Sequence, residues 1–392
     1  MARTTLMVGG GIGGLAGALA CARAGMRVDL LERANEFSEV GAGIQLGPNV
    51  MTVLHGWGLQ EPLAGICAFP QRLQVRSALS GKELGVLRLG AQAQAQYGAP
   101  YATIHRADLH ALLLATVREQ SAVQLKLGTT VDRFEQRADG VTAGTTDGLE
   151  VSADLLVGAD GLWSRVRQQL LNDEPPRATG HLAYRALVQQ SGLPEPLRSS
   201  QVTVWLGPQL HVVQYPVRGG EWLNVVAIVH GRVHGDVEYW DHSANADKLR
   251  RAMAATCAPL QNLICTIEQW RLWALSIRAP MGAAREQAQG RVALLGDAAH
   301  PMLPYLAQGA GMAIEDAQCL GLALADTNRD ISAALQHYAA QRWQRNARVQ
   351  AGAIRNGRVF HASGLVRWGR DASMKLLGES LLDMPWLYRG PP

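Results

Sequence analysis

Residues Gly9–Arg33 read GGGIGGLAGALACARAGMRVDLLER. The apolar run TTLMV stands just before them and predicts a short buried strand. Gly9, Gly11 and Gly14 then fit GxGxxG, with Gly13 inside the same turn. In that pattern the first glycine permits a tight turn and the second lets a pyrophosphate approach the backbone. The third lets the following helix pack close to the sheet. LAGALACARAG predicts the helix, closed by Gly25, and MRVDLLER predicts the next strand. Strand, helix and strand make a βαβ unit with a parallel sheet, so the fold class is α/β. Glu32 ends the second strand, where a carboxylate can accept the hydroxyls of an adenosine ribose, and Arg33 follows it. The turn by itself does not separate NAD from FAD.

Two later stretches bear on that choice. GADGLWSRVR, from Gly158 to Arg167, follows the strand-like ADLLV and carries Asp160. RVALLGDAAHPMLPYLAQGAGMAIEDA, from Arg291 to Ala317, delivers Asp297 at the end of a buried strand. Asp297 is placed to bind a ribityl or ribose hydroxyl. A Pro-rich loop follows, and Gly309, Ala310 and Gly311 open a helix. Exposed amides at such a helix start suit a pyrophosphate or an anionic ring edge.

The chain has 392 residues and is 47% hydrophobic, enough for two lobes with large cores. From about residue 180 to 280 the texture changes. HLAYRALVQQ, VTVWLG, HVVQYPV and EWLNVVAIV alternate as strands of an antiparallel sheet do. The expected organisation is an FAD-binding domain over 1–70, 100–180 and 281–350, interleaved with an antiparallel substrate domain over 71–99 and 181–280. A C-terminal helical tail over 351–392 completes it. The net charge of +4 comes without long Lys/Arg runs, which gives no support to nucleic-acid or membrane binding. The five cysteines form no CxxC pair, against a disulfide framework or a zinc site. The opening residues lack a signal-peptide core, and no apolar stretch reaches spanning length. A cytoplasmic protein is expected.

The three motifs, in this order, resemble the fingerprints of the single-component FAD-dependent aromatic hydroxylases, the family of 4-hydroxybenzoate hydroxylase. The resemblance covers nearly the whole chain. Glu32–Asn49, Tyr101–Leu113 and Leu210–Asn224 are most similar to the 3-hydroxybenzoate 6-hydroxylases, with salicylate hydroxylases and 6-hydroxynicotinate 3-monooxygenases as near relatives. The resemblance implies bound FAD, NADH or NADPH as a transient co-substrate, and oxygen activated as a C4a-hydroperoxyflavin. No second GxGxxG is present, in keeping with a family that lacks a separate nicotinamide domain. It further implies that Arg106 contacts the pyrophosphate side of FAD, that Gln45 lies beside the flavin, and that Val131 belongs to the cofactor set. An Arg opening a helix is a reasonable phosphate partner on its own chemistry.

In HVVQYPV, alternation puts His211, Val213 and Tyr215 on one face. His211 and Tyr215 are about 13 Å apart along an extended strand, room for an aromatic ring between leaning side chains. A neutral His can take a proton from a phenol, and a Tyr hydroxyl can bind a phenolate or carboxylate oxygen. The same residues also suit a core His satisfied by a carbonyl, with Tyr215 as packing. The resemblance favours the catalytic reading, because this spacing occurs in the 3-hydroxybenzoate and 6-hydroxynicotinate enzymes. Pro304 departs from the Gln of the 3-hydroxybenzoate enzymes, and Tyr305 is the next candidate to reach the substrate. His300 is expected to shape its loop. His55, His105 and His110 have no metal-ligand partner at sensible spacing, and no metal is expected. The Arg residues around Trp343 read as a solvated helix face.

The expected function is hydroxylation of a small phenolic acid, first 3-hydroxybenzoate at C6. Salicylate and 6-hydroxynicotinate remain alternative substrates. A flavin oxidase or dehydrogenase and a non-catalytic flavin binder are the other classes, and a homodimer is left open.

Overall fold

The strand Thr4–Val8 runs into the glycine turn, and the helix Ile12–Arg23 begins with Gly11 at its N-cap, as the first motif predicts. The computed structural model describes residues 3–37, 42–231, 242–244 and 246–390. Part of the resembling stretch Glu32–Asn49, residues 38–41, thus lies outside the described residues.

The chain forms two units. The first gathers Met1–Val40, Ala107–Arg177 and Ile277–Ala353. Its sheet has six strands in the order Ala288–Gln289, Val292–Leu294, Leu155–Gly158, Thr4–Val8, Arg27–Leu31 and Val123–Lys126. All its pairings are parallel except the first, which is antiparallel. The central strands TTLMV, LLVG and VAL read as near-continuous apolar runs because a parallel sheet is covered on both faces. The helix Ile12–Arg23 packs against the helix Gly309–Ala325. Small residues allow it: a Cβ on Gly321 would lie 2.9 Å from the Ala20 carbonyl oxygen.

The second unit gathers Gly41–Arg106, Ala178–Ser276 and Ile354–Pro392. Its sheet has eight strands, in the order His242–Ala244, Trp270–Ile277, Arg177–Gln189, Trp222–His230, Leu210–Val217, Val202–Gly207, Arg72–Ser77 and Glu83–Arg88. Only the pairing of Val202–Gly207 with Arg72–Ser77 is parallel among those described. One face carries Tyr184, Val212 and Val225 and is covered by Leu249, Leu260 and Ile264 of two short helices. Full burial of each such aliphatic side chain stabilises by about 1.5–3 kcal/mol. The alternation of HVVQYPV then leaves His211, Val213 and Tyr215 on the opposite face.

The unit boundaries differ from those expected in two places. Residues 42–70 and 100–106 group with the antiparallel sheet, because Gly43–Leu46 pairs with Ala102–His105, and Thr103 donates from its hydroxyl to the Pro216 carbonyl at 2.5 Å. The tail from Ile354 joins the same unit. There Glu379 accepts from the Arg88 amide at 2.9 Å, and Asp383 accepts from the Tyr97 hydroxyl at 2.5 Å. Among the described residues no helix is long and apolar enough to cross a membrane.

Candidate active site

In the first unit the site begins at the glycine turn. Gly9 has φ +106°, and a Cβ there would lie 2.5 Å from the Ala159 oxygen. A Cβ on Gly14 would lie 1.8 Å from the Gly9 carbonyl oxygen. Side chains are thus shut out of this cradle. The N-cap of the helix Ile12–Arg23, Gly11, has no side chain to cap it, and no acidic residue stands in the first turn. Its amides and positive end remain for phosphate oxygens, so the cradle fits the dinucleotide that the motif implies. Gly13 lies in that first turn, close beneath Leu295.

Glu32 braces the cradle. One carboxylate oxygen accepts from the Gly10 amide at 2.6 Å and the other from Ala34 at 2.9 Å. Each oxygen keeps a lone pair that a ribose hydroxyl can use. His110 Nε2 lies 2.8 Å from the Gly10 carbonyl oxygen. Arg33 is exposed beside Glu32, and Val131 is buried in the apolar core, which leaves only its backbone for a ligand.

Asp160 accepts from the amides of Arg165 and Val166 at 2.8 and 3.2 Å, and from the Ser164 hydroxyl. Its carboxylate therefore caps the helix Arg165–Leu171. Asp297 is exposed at the end of the strand Val292–Leu294. Gly309, Ala310 and Gly311 open the helix Gly309–Ala325, whose first turn is free of acids. Before it, Pro304 is exposed and Tyr305 buried. His300 holds this loop: its Nε2 lies 2.5 Å from Asp316, and both residues are fully buried.

The helix Ile331–Phe360 corrects one expectation. Arg342, next to Trp343, is fully buried and pairs with Glu315 at 2.9 Å and Asp316 at 2.8 Å. Arg345 pairs with Glu315 at 2.7 Å. Trp343 itself is half-buried. A guanidinium can be buried this way because two carboxylates and Asn346 satisfy its donors.

In the second unit the functional side chains stand on one sheet face. Directly paired residues share a face, so the registers Arg185↔Val226 and Val226↔Val213 put Arg185 in the Val213 row, between His211 and Tyr215. At the Tyr215 end, Gly43 donates its amide to Asn224 at 2.6 Å. A Cβ on Gly43 would lie 2.6 Å from the Tyr215 ring, so the strand Gly43–Leu46 approaches closely only because a glycine stands there. That strand presents Gln45, which accepts from the Tyr101 hydroxyl and also bonds Tyr215. Burial raises the Tyr215 phenol above its ordinary pKa, against the opposing pull of Arg185 and Gln45, and keeps the hydroxyl protonated.

Arg185 was not singled out in the sequence. Its guanidinium lies 4.9 Å from the Trp273 ring, and its Nε is buried without a hydrogen-bond partner among the described residues. Burial lowers its pKa to about 10. Tyr215 opposes that shift, while the charge of Arg106 adds to it. Arg106 opens the helix Arg106–Arg118, and its amide donates to Ala42 at 2.9 Å. The Arg106 charge thus disfavours the Arg185 guanidinium, and an anion beside Arg185 would offset it.

At the other end of the face, His211 is buried and belongs to a histidine cluster that the sequence reading did not foresee. His211 Nδ1 lies 2.6 Å from His361 Nε2, and His361 Nδ1 lies 2.9 Å from His230 Nε2. His181 stacks on His230 at 4.5 Å. Burial, then His361 and His181, hold His211 well below its ordinary pKa. Burial and His230 lower His181 to about 4, and burial, His181, His230 and Arg370 lower His361 to about 3. All are neutral at physiological pH. His361 sits just beyond a long helix, far from the other three in sequence, and no local pattern marks it.

A model of the family described as FAD binding domain matches residues 3–353. The 3-hydroxybenzoate 6-hydroxylase of Polaromonas naphthalenivorans (strain CJ2) is 39% identical over 386 residues, 98% of this chain and 95% of that protein. The 6-hydroxynicotinate 3-monooxygenase of Bordetella bronchiseptica is 37% identical over 351 residues, 88% of each. Klebsiella pneumoniae HpxO, solved with FAD and uric acid, superposes with a TM-score of 0.85 at 28% identity, over 97% of this chain and 94% of that one.

Proposed function

The chain belongs to the FAD binding domain family and is an FAD-dependent aromatic monooxygenase using NADH or NADPH, and we propose that it hydroxylates 3-hydroxybenzoate at C6. The observation that carries this reading is the sheet face with His211 at one end, Tyr215 at the other and Arg185 in the row between. A phenolic acid needs a proton acceptor for its hydroxyl and a cation for its carboxylate, and this face offers both. The Polaromonas relative, which bears the name of this activity, supports the choice of substrate.

Reduced FAD, when bound, supplies the activated oxygen that the ring attacks. By the resemblance, the residues that would hold it are Gly9, Gly11, Gly13, Gly14, Glu32, Arg33, Val131, Asp160, Asp297 and Gly309–Gly311, and Gln45 and Arg106 are further candidates. His211 Nε2 accepts the phenol proton, which makes the ring electron-rich. The His211–His361–His230 line then carries the charge outward. His211 Nδ1–H passes a proton to His361 Nε2, and His361 Nδ1–H passes one to His230 Nε2. His230 is exposed and releases its own Nδ1 proton to water, so one proton enters and one leaves. Arg185 pairs with the substrate carboxylate, and the protonated Tyr215 hydroxyl donates to the same end. Pro304 and Tyr305 are further candidates for substrate contact. The five cysteines are free thiols, which supports placing the enzyme in the cytoplasm.

The test is a panel of 3-hydroxybenzoate, salicylate and 6-hydroxynicotinate with NADH and NADPH, products identified by mass and ring substitution. The expected product is 2,5-dihydroxybenzoate from the first. Turnover of either other acid in preference, with loss of its carboxylate, would overturn the substrate. NADH oxidation without any oxygenated product would overturn the hydroxylation.

A further inference from the structure

The histidine cluster has a second capacity, separate from the hydroxylation. His181 and His230 are directly opposite one another on neighbouring strands, and such a pair projects two imidazoles from a rigid surface. His361 meets them from just beyond the helix Ile331–Phe360. Its carbonyl accepts from the Gln209 amide at 3.1 Å, and the Gln209 carbonyl accepts from the His230 amide at 3.3 Å. These two bonds pin the chain at His361 to the strand that carries His230. One ring nitrogen from each of the three histidines lies within 4.8 Å of the others.

We propose that His181, His230 and His361 form a binding site for one divalent transition-metal ion of the zinc class. Imidazole nitrogens suit zinc, copper and nickel, whereas calcium and magnesium need oxygen ligands that the three residues do not supply. A metal–nitrogen distance of about 2.0–2.1 Å requires ligand atoms closer than the widest spacing here, so the rings turn inward on binding. The ion takes the place of the hydrogen bond between His361 Nδ1 and His230 Nε2. Three protein ligands leave a fourth position for water, and the exposed His230 gives the ion a way in from solvent. The outer contact is also present: His361 Nε2 faces His211 Nδ1 at 2.6 Å, the kind of second bond that orients a ligating imidazole.

The site bears on the hydroxylation, and this consequence rests on the base role given to His211. With the metal on His361 Nδ1, the His361 proton sits on Nε2 and is donated to His211 Nδ1. The neutral His211 then carries its own proton on Nε2, the atom that must accept from the phenol. The loaded enzyme is therefore expected to be inhibited.

The experiment uses the FAD-loaded full chain, purified without a histidine tag and stripped with a chelator. Zinc is titrated in competition with a chromophoric chelator, and cobalt is added separately to read ligand geometry from its visible spectrum. One zinc per chain is expected, together with an intense low-symmetry cobalt spectrum. His230→Ala, at an exposed position, and His181→Ala should each weaken zinc by about 100-fold or more, beyond what the loss of an outer-shell partner costs. Retained FAD and an unchanged melting temperature certify each variant's fold. Equal zinc affinity in the wild type and a folded His181→Ala/His230→Ala variant would overturn the site, as would failure of the wild type to hold zinc against the chelator. Zinc bound at the cluster with hydroxylation unaffected would uphold the site and overturn the base role of His211.

Discussion

Burial and the rings of His361 and His181 hold the His211 imidazole well below its ordinary pKa. It is ready to accept a proton but poor at keeping one, which is why the outlet through His361 matters. In His211→Ala the reducing equivalents should still reach oxygen. With the phenol left protonated, ring hydroxylation should slow by about 10²–10⁴-fold, the usual range for a lost general base. NADH consumption should then appear as hydrogen peroxide, and the ratio of hydroxylated product to NADH measures it. A variant that stays coupled at the wild-type rate would make His211 a core histidine. Arg185 tests the other end of the substrate. Arg185→Met should raise KM for 3-hydroxybenzoate by about 10- to 150-fold, equivalent to the roughly 1.5–3 kcal/mol of a hydrogen bond to a charged group. The uncharged 3-hydroxybenzamide should be used equally by both proteins. An identical KM increase for the amide would mean that Arg185 shapes the site without binding the carboxylate.

At the scale of elements, what the sequence discloses depends on how local the constraint is. The glycine turn was legible because its three requirements fall within six residues, Gly9 to Gly14. The face shared by His211 and Tyr215 was legible because strand alternation is local. The helix Ile331–Phe360 was misread in part. Tyr338, Arg342, Asn346 and Gln350 recur every fourth residue, and all four are buried. Tyr338 donates to the Leu294 carbonyl at 2.8 Å, Asn346 to Asp316 at 3.0 Å and Gln350 to the Pro301 carbonyl at 3.1 Å. This polar stripe anchors the strand and loop that carry Asp297. Its spacing was visible in the sequence, but polar residues at helical spacing ordinarily face water, and their partners lie on other elements. The turn supports a sharper prediction. In Gly14→Ala the new methyl would lie 1.8 Å from the Gly9 carbonyl oxygen, with backbone rather than a flexible side chain in its way. The turn must open, at a cost of about 1–3 kcal/mol or more. The variant should purify with little FAD and melt earlier. Full FAD content, read by absorbance, would show that the cradle is not where the dinucleotide sits.

At the scale of the whole molecule, each unit draws on three separate stretches of chain. Neither can be cut out at one point, and the boundaries could not be read from composition alone. Strand pairing and hydrogen bonds to distant residues decide where 42–70 and the tail belong. Arg185 and the histidine cluster were illegible for the same reason, since non-local pairing assembles them. The first unit is in turn tied together by charge. Asp316 accepts from Arg342, Asn346 and the Gly296 amide and faces His300, while Glu315 holds Arg342 and Arg345. Burial alone would raise the Asp316 pKa, but His300 and Arg342 outweigh it and hold the carboxyl well below its ordinary value. A carboxyl depressed in the folded state contributes stability that is complete above its unfolded pKa of about 3.9 and is lost as pH falls through the folded value. The wild type should therefore lose melting temperature steeply below about pH 4. In Asp316→Asn the buried Arg342 charge loses one of its two carboxylates. Stability at neutral pH should fall by about 3–5 kcal/mol, the cost of breaking a buried pair. The acid limb should also flatten, because the group that titrates there is gone. Flavin-fluorescence melting curves across that pH range give both readings at once. A variant as stable as the wild type at neutral pH, with the same acid limb, would show that this buried network does not carry the stability of the unit.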